Sequence, residues 1–242
     1  MKMIPDNHLP HLNEIPLFQA LSPRELTRLQ TVLHLRTFSA DTVILDEGQH
    51  GDGVYFLLSG TAKIYLRQEK GAEVILNILG PHHVLGEISA VDHKGHSASV
   101  VTLETCRCLW MEEADFAACR RKIPALNNNL VSILTERLRR LTTRLEAIET
   151  LDTYGRVAYQ LLLFAQDYGQ AGDGGEITLP LRLTQSDLAG LVGASRERVN
   201  RVMTFYKRHQ YLSVDSNFHI TLHNAAALSE RCQAPASDKP HP

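Results

Sequence analysis

The sequence lacks several features that would assign it to a particular class of protein. It has four cysteines in 242 residues, too few for a disulfide-stapled scaffold. It has no uninterrupted run of about 18 apolar residues, the length that a membrane helix needs, and its first residues contain no apolar core of a secretory signal. We therefore expect a cytoplasmic protein with no membrane partner.

Catalytic motifs and an excess of one sign of charge are missing as well. No P-loop, GxSxG, HExxH or GxGxxG pattern occurs, so we expect the protein not to be an enzyme. The 25 basic and 27 acidic residues leave a net charge of −2, which by itself argues against a nucleic-acid-binding domain. Because this total is an average, it can conceal a local basic patch.

The N-terminal half has the pattern of a β-domain. Between about Leu35 and Met111 the apolar runs are short and rich in β-branched and aromatic residues, and turns such as Ser59-Gly60 separate them. Many short strands at regular spacing predict a sandwich or barrel. Cys108 alternates with Trp110 on one such strand, which favours a place in the core.

A helix is predicted before this region. Ser22, Pro23 and Glu25 have the spacing of a capping box with proline at the first helical position. Apolar residues follow at helical spacing as far as Val32 and Leu33.

From Pro124 the pattern predicts a long helix. Apolar residues recur every three or four positions on a narrow stripe, which suits a seam between two helices. We predict a homodimer through this stripe, and packing of the helix on its own β-domain is the alternative. The residues assigned to the interface are Leu134, Leu138, Leu141, Leu145 and Ile148. A second helix is predicted over residues 154–167, followed by a loop over residues 170–176.

The sharpest pattern lies in the C-terminal third. Thr184 can cap a helix over residues 185–192, Gly193 permits a turn, and Ser195 can cap a second helix over residues 196–206. This is the layout of a helix–turn–helix, whose second helix enters the major groove of DNA. The alternative is a charged helical hairpin on a protein surface.

The charge of this segment favours DNA binding. Between Ala194 and Tyr211 there are five basic residues and a single acid, Glu197. Arginine at the start of a recognition helix can bind guanine and glutamate can accept from cytosine, while later basic residues suit phosphates. A strand pair after Tyr211 is expected to form the wing. The predicted DNA-binding residues are Thr184, Gln185, Ser195, Arg196, Glu197, Arg198, Asn200, Arg201 and Lys207.

Three segments, between about Phe18 and Leu222, resemble one family. They are ILDEGQHGDGVYFLLSGTAKIYL, similar to a cyclic-nucleotide-binding β-roll, LGEISAVDHKGHSASV, similar to its phosphate-binding cassette, and LTQSDLAGLVGASRERVNRVM, similar to its helix–turn–helix. The sequence thus resembles the cyclic-AMP receptor protein / fumarate–nitrate reductase regulator superfamily of bacterial transcription factors. The implied α+β fold comprises a β-roll sensor domain (1–125), a dimerisation helix (126–152), a winged helix–turn–helix (153–230) and a disordered tail (231–242).

The resemblance also implies how DNA is bound. It implies a homodimer on a pseudo-palindromic double-stranded site, with RNA polymerase as a candidate partner. Arg196, Glu197 and Arg201 occupy the places of the family's base-reading residues, which implies a TGTGA-like half-site. Arg198 departs from the small or hydroxyl residue of the family, and this departure bears on the half-site.

The cassette departs from the family at the effector pocket. The family's Gly-Glu pair is kept, but His96 stands where nucleotide-binding members have arginine, and Leu141 occupies one expected hydroxyl position. Histidine is mostly neutral near pH 7 and lacks the guanidinium fork, so we expect cyclic AMP to bind weakly or not at all. The pocket residues implied are Gly86, Glu87, Ile88, His96, Ser97, Ala98, Thr142 and Thr143.

Other effectors stay open at this point. The N-terminal cysteine cluster of the family's iron–sulfur sensors is absent. A haem or metal site is one interpretation of the histidine-rich cassette, and solvent-exposed loop histidines are the other. A cyclic-nucleotide, haem or metal sensor that regulates a partner protein is the alternative of a different class. The histidines and nearby cysteines concerned are His82, His83, His93, His96, Cys106 and Cys108.

Overall fold

The computed structural model describes residues 12–68 and 73–233. The chain divides into two compact units, which we call the sensor unit and the DNA-binding unit. The sensor unit consists of Met1–Glu73 and Asn77–Leu138, and the DNA-binding unit of Val74–Leu76 and Arg139–Pro242. Most of the tail predicted to be disordered, from residue 234 onward, lies outside the described residues.

The sensor unit is built from short strands followed by helices. After two 3-10 turns it contains α1 (Pro23–Gln30), β1 (His34–Phe38), β2 (Val43–Leu45), β3 (Gly53–Ser59), β4 (Ala62–Arg67), the two ends of β5 (Glu73–Leu79), β6 (Val84–Leu85), α2 (Ser89–Asp92), β7 (Ser99–Thr102), β8 (Cys106–Glu112), α3 (Glu113–Lys122) and the first half of α4 (Pro124–Thr150).

The strands form two four-stranded sheets, ordered β1-β8-β3-β6 and β2-β7-β4-β5. One apolar core lies among the strands and includes Cys108, as its alternation with Trp110 predicted. A second core packs the outer surface of the first sheet, through Phe56 and Leu109, against α1, α3 and the start of α4. This mixed architecture confirms the predicted α+β class with its N-terminal β-domain.

Helix α1 begins as predicted and ends earlier. The Ser22 backbone N–H donates to the Glu25 carboxylate at 2.8 Å, and the Glu25 N–H donates to the Ser22 hydroxyl at 3.4 Å, which completes the capping box. The helix stops at Gln30, so the expected continuation through Val32 and Leu33 is wrong. Leu33 is buried in the core immediately before β1, so the chain has already left the helical conformation at this residue.

Helix α3 was not predicted. Only two of its ten residues, Phe116 and Cys119, are buried, so its sequence carries a weak helical period. Its sequence does have acids in the first turn and basic residues in the last, which favour a helix through the macrodipole.

The DNA-binding unit combines helices with a small four-stranded sheet. It contains the second half of α4, α5 (Thr153–Tyr168), β9 (Gln170–Ala171), β10 (Ile177–Leu179), α6 (Gln185–Val192), α7 (Arg196–Arg208), β11 (Leu212–Val214), β12 (Ile220–Leu222) and α8 (Ala225–Arg231). The sheet order is β11-β12-β10-β9.

Two expectations for this unit are corrected. The loop predicted over residues 170–176 contains a strand, because Gln170 and Ala171 pair with β10 around a tight turn at Gly172–Gly175. Helix α8 was not predicted, and it includes Arg231, which was assigned to the disordered tail. The Asn224 side chain accepts the Ala227 N–H at the start of this helix. Within the described residues no helix is long and apolar enough to cross a membrane.

Candidate nucleic-acid interface and sensor pocket

The helix–turn–helix is fixed by caps that the sequence encodes. The Asp187 N–H donates to the Thr184 hydroxyl at 3.2 Å, and the Thr184 N–H donates to the Asp187 carboxylate at 2.9 Å. Gly193 ends α6 in the left-handed conformation, and the Arg198 N–H donates to the Ser195 hydroxyl at the start of α7. The predicted bounds of α6 are confirmed, and α7 runs two residues further than predicted, to Arg208.

One face of α7 is buried and anchors the motif. Six apolar residues of α6 and α7 are buried: Leu188, Leu191, Val192, Val199, Val202 and Met203. Tyr206, which sequence reasoning missed, is fully buried beside them, and its hydroxyl donates to the Tyr154 carbonyl of α5 at 2.8 Å. This burial raises the pKa of Tyr206, so the phenol stays protonated as a donor.

The opposite face of α7 is exposed and mostly basic. Its exposed residues are Arg196, Glu197, Arg198, Asn200, Arg201, Lys207 and Arg208. Thr184, Gln185 and Ser195 lie at the starts of α6 and α7, where the two hydroxyls serve as caps. A charged helix face of this kind can donate to base edges and phosphates in a major groove.

In the sensor unit, Glu87 is a buried carboxylate with an internal partner. It follows Gly86, whose φ of +80° suits glycine. The Arg137 guanidinium of α4 donates to the Glu87 carboxylate, and to the Val84 carbonyl at 2.8 Å. Burial raises the pKa of Glu87 and the Arg137 charge opposes that rise. Ile88, also assigned to the pocket, is exposed.

His96 lies inside the cassette. Only 6% of the residue is exposed, so the interpretation of His96 as a solvent-exposed loop histidine is wrong. Its Nδ1 lies 2.9 Å from the Ser89 hydroxyl. A Cβ at position 51 would lie 2.4 Å from the imidazole, so Gly51 leaves the space that the ring occupies. The backbone N–H of His96 donates to the Gln49 carbonyl, so a main-chain hydrogen bond joins the cassette to the loop that contains Gln49.

The other assigned pocket residues divide between the units. Ala98, two residues after His96, is buried, whereas Ser97 is exposed. Thr142 and Thr143 belong to the DNA-binding unit and are exposed, and the Thr143 hydroxyl donates to the Arg139 carbonyl at 3.2 Å.

The other histidines in and near the cassette, together with the two nearby cysteines, do not form a metal-binding cluster in the described part of the chain. His82 and His83 are half-buried, whereas His93 is exposed and lies 2.8 Å from the Glu113 carboxylate. Burial raises the pKa of the Cys106 thiol to about 11 and that of Cys108 to about 12. In residues 12–68 and 73–233 no three potential metal ligands of the His, Cys, Asp and Glu types come together.

A cyclic-nucleotide-type sensor domain followed by a winged helix–turn–helix defines a class of transcription regulator. Residues 35–122 match the cyclic nucleotide-binding domain family, and residues 155–231 match the Crp-like helix-turn-helix domain family. The chain belongs to the CRP/FNR superfamily, as the resemblance in its sequence predicted. It is a CRP-like DNA-binding transcription regulator with a cyclic nucleotide-binding domain.

Similar proteins support this assignment. The chain is 32% identical to the CRP-like cAMP-activated global transcriptional regulator of Mycobacterium tuberculosis, over 82% of this chain and 88% of that protein. It is 32% identical to the Cyclic AMP receptor protein of Thermus thermophilus, over 78% and 83% respectively. The first of these relatives is named as a transcriptional regulator and the second as a receptor for cyclic AMP.

Solved structures share the fold. FixK2 from Bradyrhizobium japonicum aligns with a TM-score of 0.74 at 19% identity, over 85% of this chain and 100% of that one. A CooA mutant from Carboxydothermus hydrogenoformans aligns with a TM-score of 0.68 at 20% identity, over 92% and 96%.

The burial of His96 predicts a pH dependence of stability. Burial and the nearby His50 lower its pKa from the ordinary 6.5, and Asp52, Asp46 and Glu113 oppose the shift. Below about pH 6.5 the imidazole binds a proton more readily in the unfolded chain than in the folded chain. The free energy of unfolding therefore decreases as the pH is lowered. Because glutamine does not titrate, His96→Gln is expected to lose less thermal stability between about pH 7 and pH 5 than the wild type. The matched control is His93→Gln at an exposed position, and equal losses in wild type and His96→Gln would contradict the prediction.

Proposed function

We propose that the protein is a homodimeric, sequence-specific regulator that reads a pseudo-palindromic DNA site through α7, with a sensor pocket that departs from cyclic AMP binding. The observation that carries the proposal is the exposed basic face of α7 opposite its buried apolar face. RNA polymerase is its candidate partner, and the bacterial cytoplasm, where chromosomal DNA lies, is its place of action.

Base reading is assigned to the first turns of α7. Arg196, Glu197 and Arg201 are exposed, and the first two directly follow the Ser195 cap. A bidentate arginine discriminates guanine from other bases, while Lys207, near the end of the helix, suits a phosphate. The proposed half-site is TGTGA-like, and Arg198, which is exposed as well, can add a contact to a phosphate or a base beside it.

Replacing Arg196 with alanine is expected to weaken binding to the specific site by about 1–3 kcal/mol and to relax base choice there, because a bidentate contact is lost. Fluorescence anisotropy with a selected duplex and with random DNA measures the affinity for each, and the ratio of the two affinities measures the sequence preference. The control is Lys207→Ala, which should weaken the two duplexes alike. If Arg196→Ala also weakened the two alike, the base-reading role would be refuted.

The homodimer is assigned to an exposed apolar stripe on α4. Leu138, Leu141 and Leu145 are between 55% and 65% exposed, and Val131, which sequence reasoning missed, lies seven residues before Leu138. Steps of seven, three and four residues are those of a coiled-coil seam. Leu134 instead packs against the core of the sensor unit, which is the alternative of a helix packed on its own β-domain. Ile148 is half-buried.

Replacing Leu138 with aspartate is expected to give monomers that bind DNA weakly, because a charge would be buried in the seam. Light scattering measures the oligomeric state. Val43→Asp serves as a control, since Val43 is an exposed apolar residue outside α4 that is 46% exposed. A dimer that survives Leu138→Asp unchanged would exclude the seam.

The effector pocket is where this chain departs from the pattern of the family, at His96 and Leu141. The two chemical groups expected to bind a cyclic nucleotide, Glu87 and the residue at the phosphate position, both have internal partners, Arg137 and Ser89. Two relatives named for cyclic AMP favour a second candidate, a cyclic-AMP-responsive regulator. Haem sensing has no observation in its favour beyond the histidine-rich sequence.

Calorimetry with cyclic AMP distinguishes these two candidates. We expect the wild type to bind weakly or not at all, and His96→Arg to gain affinity, because a guanidinium can form two hydrogen bonds to the phosphate. His93→Arg, at an exposed position of the same loop, is the control for added charge. Micromolar binding by the wild type would establish the cyclic-AMP-responsive candidate instead.

A further inference from the structure

Arg144 of α4 is half-buried and binds three backbone carbonyls. Its guanidinium donates to the carbonyls of Leu76 and Leu191, and to that of Ile75 at 3.1 Å. The three acceptors belong to the DNA-binding unit, as Arg144 does. Burial lowers the pKa of Arg144, and the nearby Tyr159 opposes this shift. A charge that leaves water requires well-placed hydrogen bonds, and these three bonds fix the guanidinium.

The Leu191 carbonyl lies in the last turn of α6, which ends at Val192. The last four carbonyls of a helix have no partner within the helix, and a cation is stabilising at this end. Arg144 therefore caps α6 immediately before Gly193, where the turn into α7 begins. Because the two short helices form one motif, the position of this turn determines how α7 is presented.

The other two carbonyls belong to β5, the strand at the edge of the second sheet. Both ends of β5 lie in the sensor unit, whereas its middle, Val74–Leu76, belongs to the DNA-binding unit. An edge strand carries C=O groups that no neighbouring strand pairs, so they are open to a donor such as Arg144. The backbone of β5 is therefore continuous with both units.

Ile75 and Gly190 complete the contact between β5 and α6. Ile75 is 5% exposed, whereas the adjacent Val74 is 42% exposed. A Cβ at position 190 would lie 2.7 Å from the Ile75 side chain, so a larger residue there would displace Ile75. Glycine in the interior of a helix is unfavourable by itself. Close packing of α6 on Ile75 offsets this disadvantage.

We infer that the contacts of Arg144 and Ile75 with α6, which we call the β5–α6 junction, control DNA binding by setting the position of the helix–turn–helix. A shift of β5 in the sensor sheet reaches α6 along the strand itself. Arg144 is a positioning residue, because it acts through α6. The inference rests on the proposed reading of DNA by α7 and names a contact that regulates it.

The first test introduces a steric clash and then relieves it. Gly190→Ala places a methyl group against Ile75, although alanine favours the helix itself. Ile75→Ala in the same chain removes the obstructing side chain, and Ile75→Ala alone is the reference for this double variant. Fluorescence anisotropy measures the affinity for a duplex that the wild type selects from a random pool, at a temperature at which thermal unfolding shows each variant to be folded.

Gly190→Ala is expected to weaken binding about tenfold, and the double variant is expected to return to within about twofold of the reference. The salt dependence of binding should stay that of the wild type, because no phosphate contact is lost. A loss that the second substitution does not relieve would overturn the inference. Wild-type affinity of Gly190→Ala would overturn it too.

Arg144→Gln is an independent test, since it removes the cap of α6 without adding bulk. Arg139→Gln removes the same charge from an exposed position of α4 and is the matched control. We expect Arg144→Gln to bind about tenfold more weakly, Arg144→Lys to keep part of the affinity, and Arg139→Gln to bind as the wild type does. Equal affinities of the two glutamine variants would contradict the inference. A wild type that selects no duplex would overturn the proposed function and with it this inference.

Discussion

The DNA-binding unit depends on the burial of one face of α7. Val199, Val202, Met203 and Tyr206 leave water together, and the Tyr206 hydroxyl donates to the Tyr154 carbonyl of α5. A buried phenol without this acceptor would destabilise the fold, because a buried polar group requires a hydrogen bond. The same burial fixes the rotation of α7 about its axis, since residues three or four apart share a face. The basic side chains are therefore exposed as a consequence of what the other face buries.

In the sensor unit, buried charge imposes the corresponding constraint. The Glu87 carboxylate is almost fully buried, and the Arg137 guanidinium compensates its charge from α4. Removal of one partner from such a pair leaves an uncompensated charge and is strongly destabilising. A ligand that uses Glu87 must therefore share it with Arg137, or replace Arg137 with an equivalent donor. His96 presents the same requirement, because its Nδ1 already lies at hydrogen-bond distance from the Ser89 hydroxyl.

The sequence predicted best where the determinants of structure are local. Thr184, Asp187, Gly193 and Ser195 each act within one turn of helix, and α6 was located to the residue from them. The burial of His96 could not be predicted in this way, because it depends on Gly51 and Gln49, which are close only in the folded chain. Tyr206 was missed for the same reason, since its acceptor lies in another helix. Sequence reasoning likewise placed Leu134 on the exposed stripe, although the sensor core buries much of it.

The net charge of −2 and the binding of DNA are compatible because charge acts locally in salt solution. Exposed charges further apart than a Debye length, about 8 Å at physiological ionic strength, are largely screened from one another. Acidic residues elsewhere therefore weaken the attraction between α7 and a phosphate backbone very little, whereas Glu197 lies among the basic residues and does offset them. Glu197 therefore lowers the affinity for any DNA sequence. In the proposed function its role is to discriminate between bases, which a uniformly basic helix face does less well.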